Sequence, residues 1–156
     1  IIKLVNFYIK KLISRILDNH KNEIERRKIK IDLDVESCNV YTNIDGITIA
    51  LRNLIDNALK FTCNIKRPEI IIKTEYSDET CKLSVKDNGI GFNMIFHDKI
   101  FEIFQRLHRI EDYPGTGIGL ALVHKTMSRM NGKVWAESKP GAGATFYLEI
   151  KKHSDL

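Results

Sequence analysis

Asn53-Leu54-Ile55-Asp56-Asn57-Ala58-Leu59-Lys60-Phe61 is the stretch on which the reading of the chain turns. Asn53, Asn57 and Lys60 stand at i, i+4 and i+7, so a helix sets them on one face. Leu54, Ile55, Ala58 and Leu59 occupy the flank that meets a core. An amide oxygen is a neutral, hard ligand of the kind Mg²⁺ accepts beside water and substrate phosphates. A lysine ammonium is a point charge for the same phosphates. An ordinary amphipathic helix with a polar stripe has the same pattern, and the stretch taken alone leaves both readings open.

Outward from this helix, Asp45 is placed to cap its start, with Leu51 continuing the inward face. Upstream, Val40-Tyr41-Thr42 reads as a short extended piece, and Ile29, Ile31, Leu33 and Val35 alternate as in a strand. Ile9, Leu12, Ile13, Ile16, Leu17 and Ile24 lie at helical spacing, predicting one amphipathic helix from about Asn6 to Arg26. Downstream, Ile70, Ile72, Thr74 and Tyr76 alternate. Ser77-Asp78-Glu79 turns, and Cys81, Leu83 and Val85 return, predicting a hairpin. Residues 88–116 read as irregular, with one short helix near Phe96–Phe101. A further helix opens at Gly117, buries Leu120, Val123, Met127 and Met130, and stops at Asn131-Gly132. Two strands, Lys133–Glu137 and Thr145–Ile150, close the chain. Helices and hairpins sharing one sheet without βαβ alternation predict an α/β two-layer sandwich with a mixed sheet and helices on one face.

Three more clusters carry chemistry. Asp87-Asn88-Gly89-Ile90-Gly91-Phe92 follows a strand. Its glycines permit a sharp bend close to a ligand, and an ionised Asp87 accepts hydrogen bonds, as from the exocyclic amine of adenine. A dinucleotide fingerprint fails because Met94 stands where a third glycine belongs. Gly115-Thr116-Gly117-Ile118-Gly119-Leu120-Ala121-Leu122 leads into a helix, where exposed backbone N–H groups make an anion site. It lacks the Gly-Lys-Ser/Thr of a Walker loop. Gly141-Ala142-Gly143-Ala144-Thr145-Phe146 is adequately explained as a hairpin turn.

The chain has 156 residues, about one domain, and is 43% hydrophobic and 29% charged, as a globular domain is. No apolar run approaches the roughly 20 residues needed to span a bilayer. Without an initiator Met, the chain reads as a fragment of something larger. Its net charge of +5 is concentrated in the first 30 residues and reads as a solvated helix face. These basic residues are not interleaved with aromatics suited to base stacking, which argues against nucleic acid. The 3 cysteines, Cys38, Cys63 and Cys81, form no C-x-x-C pair, as befits a reducing cytoplasm.

In order and wording, these clusters resemble the N (Asn53–Thr62), G1 (Asp87–Gly91), F (Ile100–Arg106) and G2 (Gly115–Leu122) boxes of histidine-kinase catalytic domains. That family belongs to the GHKL superfamily and has the Bergerat ATP-binding fold. The resemblance runs from about Asp45 to Ile150, and from Phe101 to Leu122 it is similar to bacterial phytochrome-like and related kinases. It implies one catalytic domain over residues 1–156, with a core of about 27–151 and a leading helix over 1–26. It implies ATP as substrate and Mg²⁺ on Asn57, assisted by Asn53. Lys60 and Arg106 would contact phosphate. Asp87 would take the adenine amine in a pocket shaped by Gly89 and Gly91. An ATP lid within Asn88–Tyr113 would hinge on Phe101 and Phe104. Gly115, Thr116, Gly117, Gly119 and Leu120 would close on the phosphates, with Thr145 completing the site.

ATP-hydrolysing members of the superfamily usually carry a Glu four residues before the metal-binding Asn, where it serves as general base. Asn53 stands there instead, which implies a kinase rather than an ATPase. The family's phosphoacceptor is a His followed by an acidic residue and then Pro, on a separate dimerising hairpin. Lys21-Asn22-Glu23 after His20 does not match it, and His97, His108, His124 and His153 lie elsewhere. The implied partners are therefore that dimerisation domain and a response-regulator receiver domain, in the cytoplasm. The isolated domain is expected to be monomeric. An inactive nucleotide-binding module and a GHKL-class serine kinase are the alternatives.

Overall fold

A computed structural model describes residues 4–36, 39–102 and 118–152. Its centre is a five-stranded sheet of β2 (Lys30–Asp34), β4 (Glu69–Tyr76), β5 (Thr80–Asp87), β7 (Ala144–Lys151) and β6 (Lys133–Ser138), in that spatial order. β2 runs parallel to β4 and the other neighbours are antiparallel, so the sheet is mixed as expected. β4 and β5 form the anticipated hairpin. Along β7, Phe146, Leu148 and Ile150 turn inward, with Ile70, Ile72, Leu83 and Val85 on the same face.

The long helix α3 (Ile44–Phe61) covers that face with Ile47, Leu51, Leu54, Ile55, Ala58 and Leu59, none more than 4% exposed. Its cap is Asn43 rather than Asp45: the Asn43 side chain accepts from the N–H groups of Asp45 and Gly46 at 3.0 and 3.1 Å. Truncating a buried leucine such as Leu54 to alanine costs about 2–5 kcal/mol.

The N-terminal region differs from the single helix expected over Asn6–Arg26. β1 (Leu4–Tyr8) pairs antiparallel with β3 (Asn39–Asn43) in a second, two-stranded sheet. α1 (Ile9–Asp18) then buries Ile9, Leu12, Ile13 and Ile16 in the same core as α3. A turn at Asn19-His20 separates it from α2 (Lys21–Arg27), which has no fully buried residue. The periodicity was right for α1. Strand pairing with distant Asn39–Asn43, which local spacing does not encode, claims residues 4–8. At the edge strand β2 the expected inward alternation fades: Ile31 is half-buried and Leu33 is 43% exposed.

Two short 3₁₀ turns, Met94–Phe96 and Lys99–Phe101, stand where one short helix was expected. α4 (Gly119–Arg129) opens two residues after Gly117 and packs on α3. Val123 and Met127 are fully buried, whereas Leu120 and Met130 are half-buried. Asn131, at φ 55°, and Gly132 end it as anticipated. No described helix is long and apolar enough to cross a membrane.

Candidate functional site

The site lies where the C-terminal half of α3, the turn after β5, the β6–β7 turn and the start of α4 meet. Asn53, Asn57 and Lys60 are all half-buried along one face of α3, next to the buried stripe that anchors it. The Asn53 amide nitrogen donates to the Ile49 carbonyl at 2.8 Å. Its oxygen faces the first turn of α4, where a Cβ added to Gly119 would stand 2.9 Å from it. A larger residue at 119 would therefore displace the Asn53 amide from this position. The α4 N-cap is Ile118, whose side chain has no acceptor for the helix's leading N–H groups.

Asp87 ends β5 on the buried face and is 5% exposed. Its Oδ1 accepts from the Gly89 N–H at 2.8 Å. Burial raises its pKa from 3.8 to about 6, against the lowering effect of hydrogen bonds from the Gly89 and Ala144 backbones. A carboxyl held this way is a functional-site candidate, because burial makes it costly to keep ionised.

The glycines around it are required by contact. At Gly89 a Cβ would run into the Phe61 carbonyl oxygen and lie 2.8 Å from Asp87 Oδ1. The Ile90 N–H donates to the same Phe61 carbonyl at 3.3 Å, so the end of α3 forms a ledge under this turn. Gly91 has φ +65° and meets the backbone of Lys139 and Gly143; Gly143, at φ +80°, meets that of Asp87. Ser138 locks the two turns together. Its hydroxyl accepts from the Phe92 N–H at 2.8 Å and donates to the Gly143 carbonyl at 2.7 Å.

Phe101 is half-buried, with its ring 5.5 Å from that of His97, 5.9 Å from that of His124 and 6.4 Å from that of Phe146. His97 Nε2 accepts the Ala136 N–H at 3.1 Å on the edge strand β6, which pins this segment to the sheet. His97 and His124 are thus packing residues. His20 pairs with Asp56 at 3.0 Å.

Among the described residues singled out in the sequence, Gly89 closes on Asp87 and on the end of α3, Gly119 closes on Asn53, and Asn57 and Lys60 follow Asn53 along the same helix, while the Phe101 ring packs against that of Phe146. Thr145 does not join them. It pairs with Lys86 across β5 and β7, on the face opposite Asp87 and Ala144, so Ala144 is the β7 residue beside the buried carboxylate. Phe104, Arg106, Gly115, Thr116 and Gly117 lie outside the described residues. Ser138 was not singled out, and Gly143 was read only as part of a hairpin turn. The Gly-Ala-Gly run signalled the turn but not its partner, because Phe92 and Ser138 are 46 positions apart, far outside any local pattern.

Among the described residues, no three His, Cys, Asp or Glu side chains converge as a metal cage. A cation at the α3 face would rely on amide oxygens, water and substrate phosphates, a donor set that fits Mg²⁺.

Residues 42–154 match the profile of the histidine kinase-, DNA gyrase B- and HSP90-like ATPases. The chain is 36% identical over 142 residues to the phytochrome-like protein Cph1 of Synechocystis, covering 91% of this chain but 19% of that protein. It is 31% identical over 149 residues to the sensor protein kinase WalK of Staphylococcus haemolyticus, covering 93% of this chain and 24% of the relative. It therefore spans about a quarter or less of these relatives. Among solved structures, the nucleotide-free catalytic domain of histidine kinase ThkA superposes with a TM-score of 0.84 at 25% identity, over 96% of this chain and 98% of that one. ThkA in complex with the response regulator TrrA gives a TM-score of 0.78 at 22% identity, over 96% and 42%.

Proposed function

Because the chain belongs to the histidine kinase-, DNA gyrase B- and HSP90-like ATPase family, we propose that it is the ATP-binding catalytic domain of a sensor histidine kinase. It delivers the γ-phosphoryl group of ATP to a histidine on a separate dimerisation domain, and a response-regulator receiver domain then takes the phosphoryl group. The observation that carries the reading is Asp87, a buried carboxylate at the rim of a glycine-built turn beside the polar face of α3.

Each residue has a task in this reading. Asp87 accepts a hydrogen bond from the adenine amino group, and Gly89 and Gly91 bring the backbone close enough for the base to enter. Lys60 neutralises phosphate charge, and the start of α4, where Ile118 offers no side-chain cap, turns N–H groups and the positive end of its dipole toward the same phosphates. Asn57, with Asn53 beside it, would hold Mg²⁺, whose charge offsets that of the transferring phosphoryl group. Phosphoryl transfer asks mainly for positioning and charge stabilisation, so a domain that orients the γ-phosphoryl supplies most of the catalysis.

Asn53 supports kinase over hydrolase. Its amide is a poor base, and its nitrogen is already committed to Ile49. Cys63 and Cys81 are not joined in a disulfide, which accords with a cytoplasmic setting. The test is transfer from γ-labelled ATP to a supplied histidine hairpin. Acid-labile, alkali-stable label on the hairpin with little phosphate release is the expected result. Rapid steady-state release of phosphate by the domain alone would overturn the assignment, and ATP binding without any transfer would favour an inactive regulatory module.

A further inference from the structure

α2 is fastened to α3 largely by polar contacts at its two ends. Ile24 is its only half-buried apolar residue. At the start, His20 meets Asp56 at 3.0 Å. At the end, the Arg27 side chain, only 14% exposed, reaches the last turn of α3. Arg27 Nη1 donates to the Leu59 carbonyl at 2.9 Å and Nη2 to Thr62 Oγ1 at 3.1 Å, while Glu23 holds the guanidinium from behind at 2.9 Å. Thr62 is fully buried, and its hydroxyl donates back to the Ala58 carbonyl at 2.7 Å. The final carbonyls of a helix have no intrahelical partners, and a guanidinium there both satisfies them and complements the helix dipole.

Between these two anchor points lie Lys60 and Phe61, and the Phe61 carbonyl accepts the Ile90 N–H and is the group against which Gly89 closes. Arg27 therefore sits one link behind the ledge on which the Asp87–Gly91 turn rests.

We propose that Arg27 is a positioning residue of the nucleotide site: by clamping the C-terminal turn of α3 it fixes Phe61, and through Phe61 the Asp87–Gly91 turn and the reach of Lys60. The proposal rests on the nucleotide-binding reading above for its consequence, though not for its geometry. Arg27→Met keeps the side-chain stem and removes every donor. Losing a charge-assisted bond of this kind weakens what it positions by about tenfold.

The test measures Mg-ATP affinity by calorimetry, at a temperature where each variant is folded by circular dichroism, together with hydrogen exchange at the Ile90 amide in the nucleotide-free protein. Arg27→Met is expected to bind about tenfold more weakly and to exchange the Ile90 amide about tenfold faster, and Arg27→Lys to recover part of both. Cys81→Ala, a cavity at the opposite end of β5, serves as a control of reduced stability and is expected to leave affinity within about twofold. Affinity and Ile90 exchange in Arg27→Met within twofold of wild type would overturn the proposal, as would equal losses in Cys81→Ala. Should Arg27→Met not fold, Arg27→Lys carries the same two readouts against the same control. A wild type that binds no ATP would instead remove the functional reading, and Ile90 exchange would still decide for or against the clamp.

Discussion

Replacing Asp87 by asparagine should stabilise the empty protein while destroying its nucleotide site. The side chain is 5% exposed, and burial lifts its pKa from 3.8 to about 6. At 1.36 kcal/mol per pH unit, that difference makes the ionised carboxylate cost about 3 kcal/mol of folding stability at neutral pH. The sign follows from the direction of the shift. Folding raises this pKa, so the linked stability is fully present below 3.8 and is lost as the pH rises through about 6. Asparagine has nearly the same shape, keeps an oxygen for the Gly89 N–H and carries no charge, although its NH₂ cannot accept the Ala144 N–H, which offsets part of the gain. At pH 7.5 Asp87→Asn should therefore melt higher than wild type by up to about 10 °C, taking a few degrees per kcal/mol for a domain of this size. The difference should shrink as the pH falls toward 4. ATP binding should fail in the variant, because an amide NH₂ would face the adenine amine. Thermal melts of both proteins between pH 4 and 8, with ATP titrations at each end, provide the assay. A melting difference that does not change with pH would refute the argument that Asp87 is held ionised at a cost.

Other expectations are more local. Gly89→Ala drives a methyl group into the Phe61 carbonyl and Asp87, so it should lose ATP binding and about 1–3 kcal/mol of stability, read by calorimetry and urea unfolding. Asn57→Ala should leave unfolding within about 0.5 kcal/mol of wild type, as half-buried surface changes do, yet abolish the Mg²⁺-dependent gain in ATP affinity. Lys28 occupies the left-handed region at φ 53° as the cap of α2, and Lys28→Gly should raise stability by about 1 kcal/mol, measured by thermal melting.

What was legible in the sequence was what local spacing encodes. The face of α3, the β4–β5 hairpin and the glycine turns at Gly89, Gly91 and Gly119 follow from residues only a few positions apart. The Asn6–Arg26 helix failed because pairing of Leu4–Tyr8 with Asn39–Asn43 is a non-local choice. Thr145 was misplaced although a signal was present: Phe146, Leu148 and Ile150 face the core, so the odd position between Ala144 and Phe146 must face away. Arg27 and Ser138 left no such mark, since their partners Leu59, Thr62, Phe92 and Gly143 are brought to them only by the fold.

The central claim, that Asp87 and α3 form an ATP site, is tested most directly by calorimetric titration of ATP with and without Mg²⁺ into wild type and Asp87→Ala. The account predicts Mg²⁺-supported binding to wild type that disappears in the folded variant. Absence of binding to folded wild type, or undiminished binding to Asp87→Ala, would contradict it.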